Sequence, residues 1–163
     1  MATNIVAESE MFFNSFEPKQ SMRFIMYMDG VPSYIIKSSG RPQLEQPSKE
    51  IHHINLVRFV KGKSRWQPIA VTLYDPIVPS GAQAVMEWVR LAHESITGRD
   101  GYFDFYAKDL IFHGIGPTGD VVEEWILKGA WPTNINFGEQ DWASDEPLVV
   151  QMQIQYNYAV LNF

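Results

Sequence analysis

The sequence predicts a mainly β fold, a small β-barrel or two-sheet sandwich of about seven strands with one flanking α-helix over 81–97. Three observations carry this. The stretch Val149–Val160, VVQMQIQYNYAV, alternates apolar and polar residues, as a half-buried strand does. Short apolar runs separated by Gly, Pro and Asp recur along the chain, and aromatic residues reach 13%, a composition that suits broad β packing surfaces. A single segment carries a helical stripe with a cap at its start.

Residues 1–20 show no committed pattern and read as an N-terminal arm. SMRFIMYMDGVPSYIIKSS reads as a hairpin around Asp29-Gly30, a tight-turn pair. Pro32 follows, where a missing N–H is tolerated at a strand start. Residues 38–50 hold Gly40, Pro42 and Pro47 in a polar background and read as a long loop. IHHINLVRFV is a strand, GKSRW a turn, and QPIAVTLYDPI a strand with Val71 and Leu73 on one face. Ser80 and Gln83 form a capping box, and Val85, Trp88, Val89, Ala92 and Ile96 make one apolar stripe ahead of Gly98. GYFDFYAKDLIFHGI is a strand bent near its start. GPTGD is a turn and VVEEWILKGAW the returning strand, so 106–129 forms a second hairpin. WPTN is a tight turn, INFGEQDWASDEP a loop, and 147–160 the last strand. On that strand Met152, Ile154, Tyr156, Tyr158 and Val160 share one face, and Gln151, Gln153, Gln155 and Asn157 the other. The chain reads as one domain, 1–163, with no internal repeat.

Composition narrows the function classes. The net charge of −6 and pI near 5.1 argue against tight nucleic-acid binding, which needs clustered Lys and Arg. With no cysteine, neither a disulfide framework nor a thiolate nucleophile can form. MATNIVAESEMFF lacks a basic segment followed by an apolar run, so no secretory signal is expected. Synthesis and assembly in a cytoplasm follow as the expectation, with no membrane partner.

No chemistry-bearing constellation emerges. Gly62-Lys63-Ser64 ends like a phosphate loop, but Val57 stands where the first glycine belongs, and strands flank it. His52 and His53 are strand neighbours that point to opposite faces, and no His-x-x-x-His pair exists for a metal. No nucleophile elbow is present. No enzyme activity, cofactor or metal is expected. Trp88 and Trp125 lie on apolar faces and read as core. Trp131 and Trp142 flank a turn and a polar loop, where Trp marks a contact.

The run WILKGAWPTNINFGEQDW before the final strand resembles the C-terminal part of the tail-tube proteins of contractile-tailed phages of the T4 type. KGAWPTN, Lys128–Asn134, and Asp141-Trp142 are its specific elements, with Trp131, Pro132, Thr133, Asn134 and Trp142 as the family-motif positions. The order of parts from about residue 20 to 160 follows the same family; the first twenty residues and the 38–50 loop match least. The resemblance implies a structural protein whose hexameric rings stack into a hollow tube. It implies a surrounding sheath protein, a tape-measure protein inside during assembly, and baseplate and tail-terminator proteins at the ends. DNA passes through without specific binding, and the place of residence is the virion. Tubes of type VI secretion and of extracellular contractile injection systems share the plan, and a baseplate–tube adaptor is a near relative. Outside this class, a small-ligand-binding β-barrel remains open.

Two candidate sites follow. Gln151, Gln153, Gln155 and Asn157 form a polar face without charge, suited to a lumen wall or a subunit interface, where amides can pair and charges would be costly. The 38–50 loop, with Arg41, Gln43, Glu45 and Lys49, is the candidate bridge to the next ring.

Overall fold

The computed structural model describes residues 17–162. Eleven strands form: β1 (Phe24–Tyr27), β2 (Ile36–Ser39), β3 (Gln43–Glu45), β4 (Ser48–His53), β5 (Leu56–Lys61), β6 (Arg65–Gln67), β7 (Ile69–Tyr74), β8 (Lys108–Ile115), β9 (Val121–Asn136), β10 (Val149–Gln155) and β11 (Tyr158–Leu161). Helix α1 spans Gly81–Ala92 and a one-turn helix, α2, spans Phe103–Tyr106.

Seven strands make one hydrogen-bonded sheet in the order β1-β8-β9-β10-β7-β2, with β11 also on β9. The sheet does not close, because β1 and β2 end it on opposite sides. It is a sandwich and not the barrel that was the other expectation. The 16-residue β9 belongs to both layers. Its first part pairs β8 on one side and β11 on the other. Its last part, Trp131–Asn136, pairs only β10.

The bend lies at Gly129, which holds φ +63°, a left-handed conformation that glycine alone adopts cheaply. Directly opposite, the chain breaks between β10 and β11 at Tyr156-Asn157, and the Asn157 N–H donates to the Lys128 carbonyl at 2.9 Å. Strands that change layers do so through such irregularities.

The two layers enclose one core. Ile69, Val71 and Leu73 of β7, Val150, Met152 and Ile154 of β10, Leu110 and Phe112 of β8, and Leu127 of β9 all turn inward. Helix α1 closes the core with Val85 and Trp88, which are 0% and 2% exposed. The Trp88 indole N–H donates to the Tyr106 carbonyl at 2.7 Å. The cap is as predicted at Ser80, whose hydroxyl accepts from the Gln83 N–H at 3.3 Å. Asp75 supplies the other half, accepting from the Ala82 N–H and the Ser80 hydroxyl, each at 3.1 Å.

Several expectations need correction. The helix stops at Ala92, not 97. His93 turns extended and its ring meets the Asp100 carboxylate at 2.7 Å, so Ile96 is 94% exposed and off the stripe. The first hairpin does not form. Asp29-Gly30 makes its turn, but β1 pairs β8 and β2 pairs β7. The connector crosses the core, burying Met28, Val31 and Ile35. The 38–50 segment is not a loop, because β3 pairs β6 and β4 pairs β5. IHHINLVRFV is therefore two strands with a turn at Ile54-Asn55. GYFDFY begins with a helical turn. WPTN is not a turn but the bulged continuation of β9, where Gln153 pairs Asn134 and Ile154 pairs Pro132, skipping Thr133. The last strand is two strands, so Tyr158 and Val160 do not continue the buried face.

Candidate functional site

The polar face predicted on the last strand is wider than one strand. In β10 only Gln151 and Gln153 lie fully on it. Cross-strand pairing extends it into two rows. Ser38 of β2, Thr72 of β7, Gln151 and Asn136 of β9 stand in one. The second runs through Ala70, Gln153 and Asn134, and the Gly40 N–H donates to the Ala70 carbonyl at 2.8 Å. No member of either row carries a charge. Opposed residues on a pleated sheet point to the same side, so these side chains form one wall.

Gln155 has the same parity but is half-buried at the foot of the wall, where its amide donates to the Tyr156 carbonyl at 3.2 Å and the Trp66 carbonyl at 3.4 Å. Asn157 leaves the wall altogether, because it sits at the corner beyond the end of β10. A Cβ on Gly129 would stand 2.5 Å from its side-chain nitrogen. The family-motif residues serve this geometry. Trp131 is half-buried and meets the Tyr106 ring edge-on at 6.0 Å. Among the described residues β9 has no neighbour on the outer side of Pro132, so its missing N–H breaks no ladder. The Thr133 hydroxyl donates to the Gln153 carbonyl at 3.2 Å, and Asn134 enters the wall. Trp142 is distant from them, on the exposed 137–148 loop.

Sequence reasoning missed Ser38, Ala70, Thr72 and Asn136. A signal existed: Asn134 and Asn136 repeat the period-two amide pattern of the glutamines, on the strand directly beside them. It is legible only once β9 is known to run through WPTN.

The second feature is an arm. Residues 43–67 form a two-stranded ribbon, β3 and β6 at its root and β4 and β5 at its tip. All six residues of β4 are exposed, as are Leu56, Val57, Arg58 and Phe59 of β5. The arm holds five of the chain's thirteen Lys and Arg residues and only two acidic ones, so it carries +3 in a chain of −6. Of the predicted contacts, Gln43 and Glu45 lie in β3, Lys49 in β4, and Arg41 below the root. Arg41 and Lys19 both pair with the Glu123 carboxylate, which also accepts from the Trp125 indole. Burial would raise the Glu123 carboxyl, but the bonds from Lys19, Trp125 and Arg41 outweigh it and hold it at about 2. In the core, burial raises the Tyr156 phenol above its usual value, against a backbone hydrogen bond at Gln43 that lowers it.

The outer face of the other layer differs. Tyr27 of β1, Ile111 of β8, Ile126 of β9 and Val160 of β11 lie side by side in register, and Ile25 pairs His113 in the next row. A hydrogen bond between His113 and Glu124 at 2.8 Å and an ion pair of Lys128 with Asp109 at 2.6 Å border them. Asn162 and His113 hold the Glu124 carboxyl below its usual value, and Lys128 does the same for Asp109.

Among the described residues no group of three or more His, Asp or Glu is placed to hold a metal ion, and no helix is long and apolar enough to cross a membrane.

The sequence matches no family model and no curated protein. Solved structures do match across nearly the whole chain. A chain in the cryo-EM structure of the anti-feeding prophage tube-terminating cap gives a TM-score of 0.75 at 17% identity, covering 96% of this chain and 99% of that one. A chain of the sheath–tube complex of the extracellular contractile injection system PVC gives 0.71 at 14% identity, covering 97% and 99%. Hcp1 from Flavobacterium johnsoniae gives 0.54 at 14% identity, covering 85% and 94%. The fold is thus shared with tube and terminator proteins of contractile injection systems, and the resemblance read from KGAWPTN holds at the level of fold.

Proposed function

We propose that this chain is the subunit of the hollow inner tube of a contractile tail, with hexameric rings stacked inside a sheath. The observation that carries this is the wall: a four-stranded layer whose two central cross-strand rows hold no charge, with Lys37 over the Tyr74 ring at one end, and with an unpaired edge on each side among the described residues. Exposed edges invite pairing with another chain. Along the layer the strands alternate in direction, so the Trp131–Asn136 edge of one copy meets the β2 edge of the next antiparallel. Repeating that contact under cyclic symmetry closes a ring with the wall facing one way. Facing inward, it gives a bore of amides and hydroxyls that a passing polyanion neither sticks to nor is held by, and the overall −6 opposes adhesion further. The arm, at one end of the wall strands, then bridges to the adjacent ring.

The preferred setting is a phage tail, in which the bore holds a tape-measure protein during assembly in the host cytoplasm and then conducts DNA. Baseplate and terminator proteins close the ends. A second setting, the tube of an injection device, draws support from the similar structures, which come from such machines. The structural role accounts for the chain without any enzymatic step.

Electron microscopy of the purified protein over a concentration series tests the proposal. Rings or hollow tubes are expected. Gln153→Lys is expected to fold normally and to impair tube growth or DNA delivery, and unchanged infectivity of particles carrying it would contradict the lumen assignment.

A further inference from the structure

The arm leaves from one end of the wall strands, and the opposite end carries a groove of contrary charge. At the arm's end stand Ile69, Gln155 and Trp131. At the far end Tyr74 pairs Val149, and the Asp75 N–H donates to the Leu148 carbonyl at 3.0 Å. Beyond that point an open groove of about 880 Å³ lies between α1 and the 137–148 loop. Met86, Phe137 and Leu148 give it an apolar floor, and Glu87 and Arg90 line its helix side. The loop beside it adds Glu139, Asp141, Asp145 and Glu146, and no Lys, Arg or His occurs anywhere from 137 to 163. Trp142, 106% exposed, stands on the same loop.

The arm is the complement of this groove. It carries the +3 noted above, and its tip presents Ile54 at 92% and Leu56 at 76% exposure. A two-stranded ribbon with both faces in water is marginal by itself, so it needs a surface. Its eleven steps from Gln43 to Ile54 span at most about 36 Å, against about 20 Å for the six residues of β7. The arm is rooted at the end of the wall strands opposite the groove, and its tip strands are solvent-exposed.

We infer that the groove between α1 and the 137–148 loop is the receptor for the basic arm of a second copy of this chain. The inference rests on the tube reading and adds the site that reading lacks. A basic apolar knob at one end and an acidic apolar groove at the other make a heterologous contact that repeats without closing along the strand direction. Charge complementarity steers the arm and fixes polarity, because arm against arm and groove against groove are both repulsive. The arm is then shielded only within a stack.

Charge reversal tests this in the full-length chain, on exposed side chains that leave folding intact by thermal melting. Glu87→Lys with Glu139→Lys in the groove is expected to lower tube yield at least about tenfold, as is Arg58→Glu with Lys61→Glu in the arm. All four changes in one chain restore the opposite charges in swapped positions and are expected to recover yield. Groove-reversed protein that forms tubes within about twofold of wild type would overturn the inference and leave the tube reading standing. Sedimentation velocity separates the converse: reversal-sensitive association without rings or tubes overturns the tube reading and keeps the receptor. An absence of self-association at every concentration overturns both.

Discussion

The two layers of the sandwich share one core but differ on their outer faces. The β9–β10–β7–β2 layer presents serine, threonine, glutamine and asparagine, with Lys37 over Tyr74 at one end and unpaired edges on both sides among the described residues. The β1–β8–β9–β11 layer presents isoleucine, tyrosine and valine bordered by an ion pair and the His113–Glu124 hydrogen bond. An apolar patch with paired polar groups at its rim is the composition of a protein contact. A surface whose central rows are amides and hydroxyls is neither a good core nor a strong binder of ions. The two faces suit different neighbours: under the proposed tube, water and cargo meet the amide face and protein meets the apolar one.

The comparison breaks most severely if the shared core is lost. Trp88→Ala removes the largest buried side chain that α1 contributes to the core, together with its bond to the Tyr106 carbonyl. A loss of about 3–5 kcal/mol is expected, read by urea denaturation as a lower midpoint with both layers still melting in one transition. Separate transitions would show that the layers are independent. Gly129→Val acts at the corner, where φ is +63° and a Cβ meets Asn157. A cost of about 2 kcal/mol is expected, and an unchanged midpoint would deny the corner its role.

Glu123→Gln sharpens the comparison at the point where Lys19 and Arg41 converge below the arm. Its partners are well exposed, with side chains 58% and 61% accessible, so solvent screening limits the loss to about 1–2 kcal/mol. The native carboxyl lies at about 2, below its ordinary 4.5. Its contribution is therefore complete above pH 4.5 and is lost as pH falls through 2. The wild type is expected to lose stability over that window more steeply than the Gln variant, and parallel pH profiles would contradict this.

The smallest effects on stability are the most telling. Ile126→Lys and Gln153→Lys place the same charge on the two outer faces, and each is expected to change folding by no more than about 1 kcal/mol. Ile126→Lys is expected to abolish ring and tube formation seen in negative stain. Gln153→Lys is expected to permit rings while making the bore retain DNA. Identical behaviour of the two would erase the distinction between the faces.

Most of the fold was legible where local chemistry decides it. Ser80 marked the start of α1, and the Val71, Leu73 and Met152, Ile154 alternations marked core strands. The 106–129 hairpin followed from GPTGD. The failures share a cause: pairing is a long-range choice. Asp29-Gly30 makes a turn, yet the chain beyond it crosses to the other layer because Val31 and Ile35 find the core there. Pro42 and Pro47 hid the arm, since short exposed strands held only by each other lack an apolar alternation. Pro132 suggested a turn, but at a sheet edge its missing N–H costs nothing. Only Gln151 and Gln153 of the wall were visible as such. The rest, Ser38, Thr72, Asn134 and Asn136, depends on register, which no single segment encodes.

The central claim is that the amide wall faces the bore of a ring. A cryo-EM reconstruction of the assembled protein tests it most directly. The account predicts closed rings in which Trp131–Asn136 of one copy pairs with β2 of the next, with Gln151, Gln153, Asn134 and Thr72 lining the lumen. Rings whose lumen is lined by Ile111, Ile126 and Val160, with the amides turned outward, would contradict it.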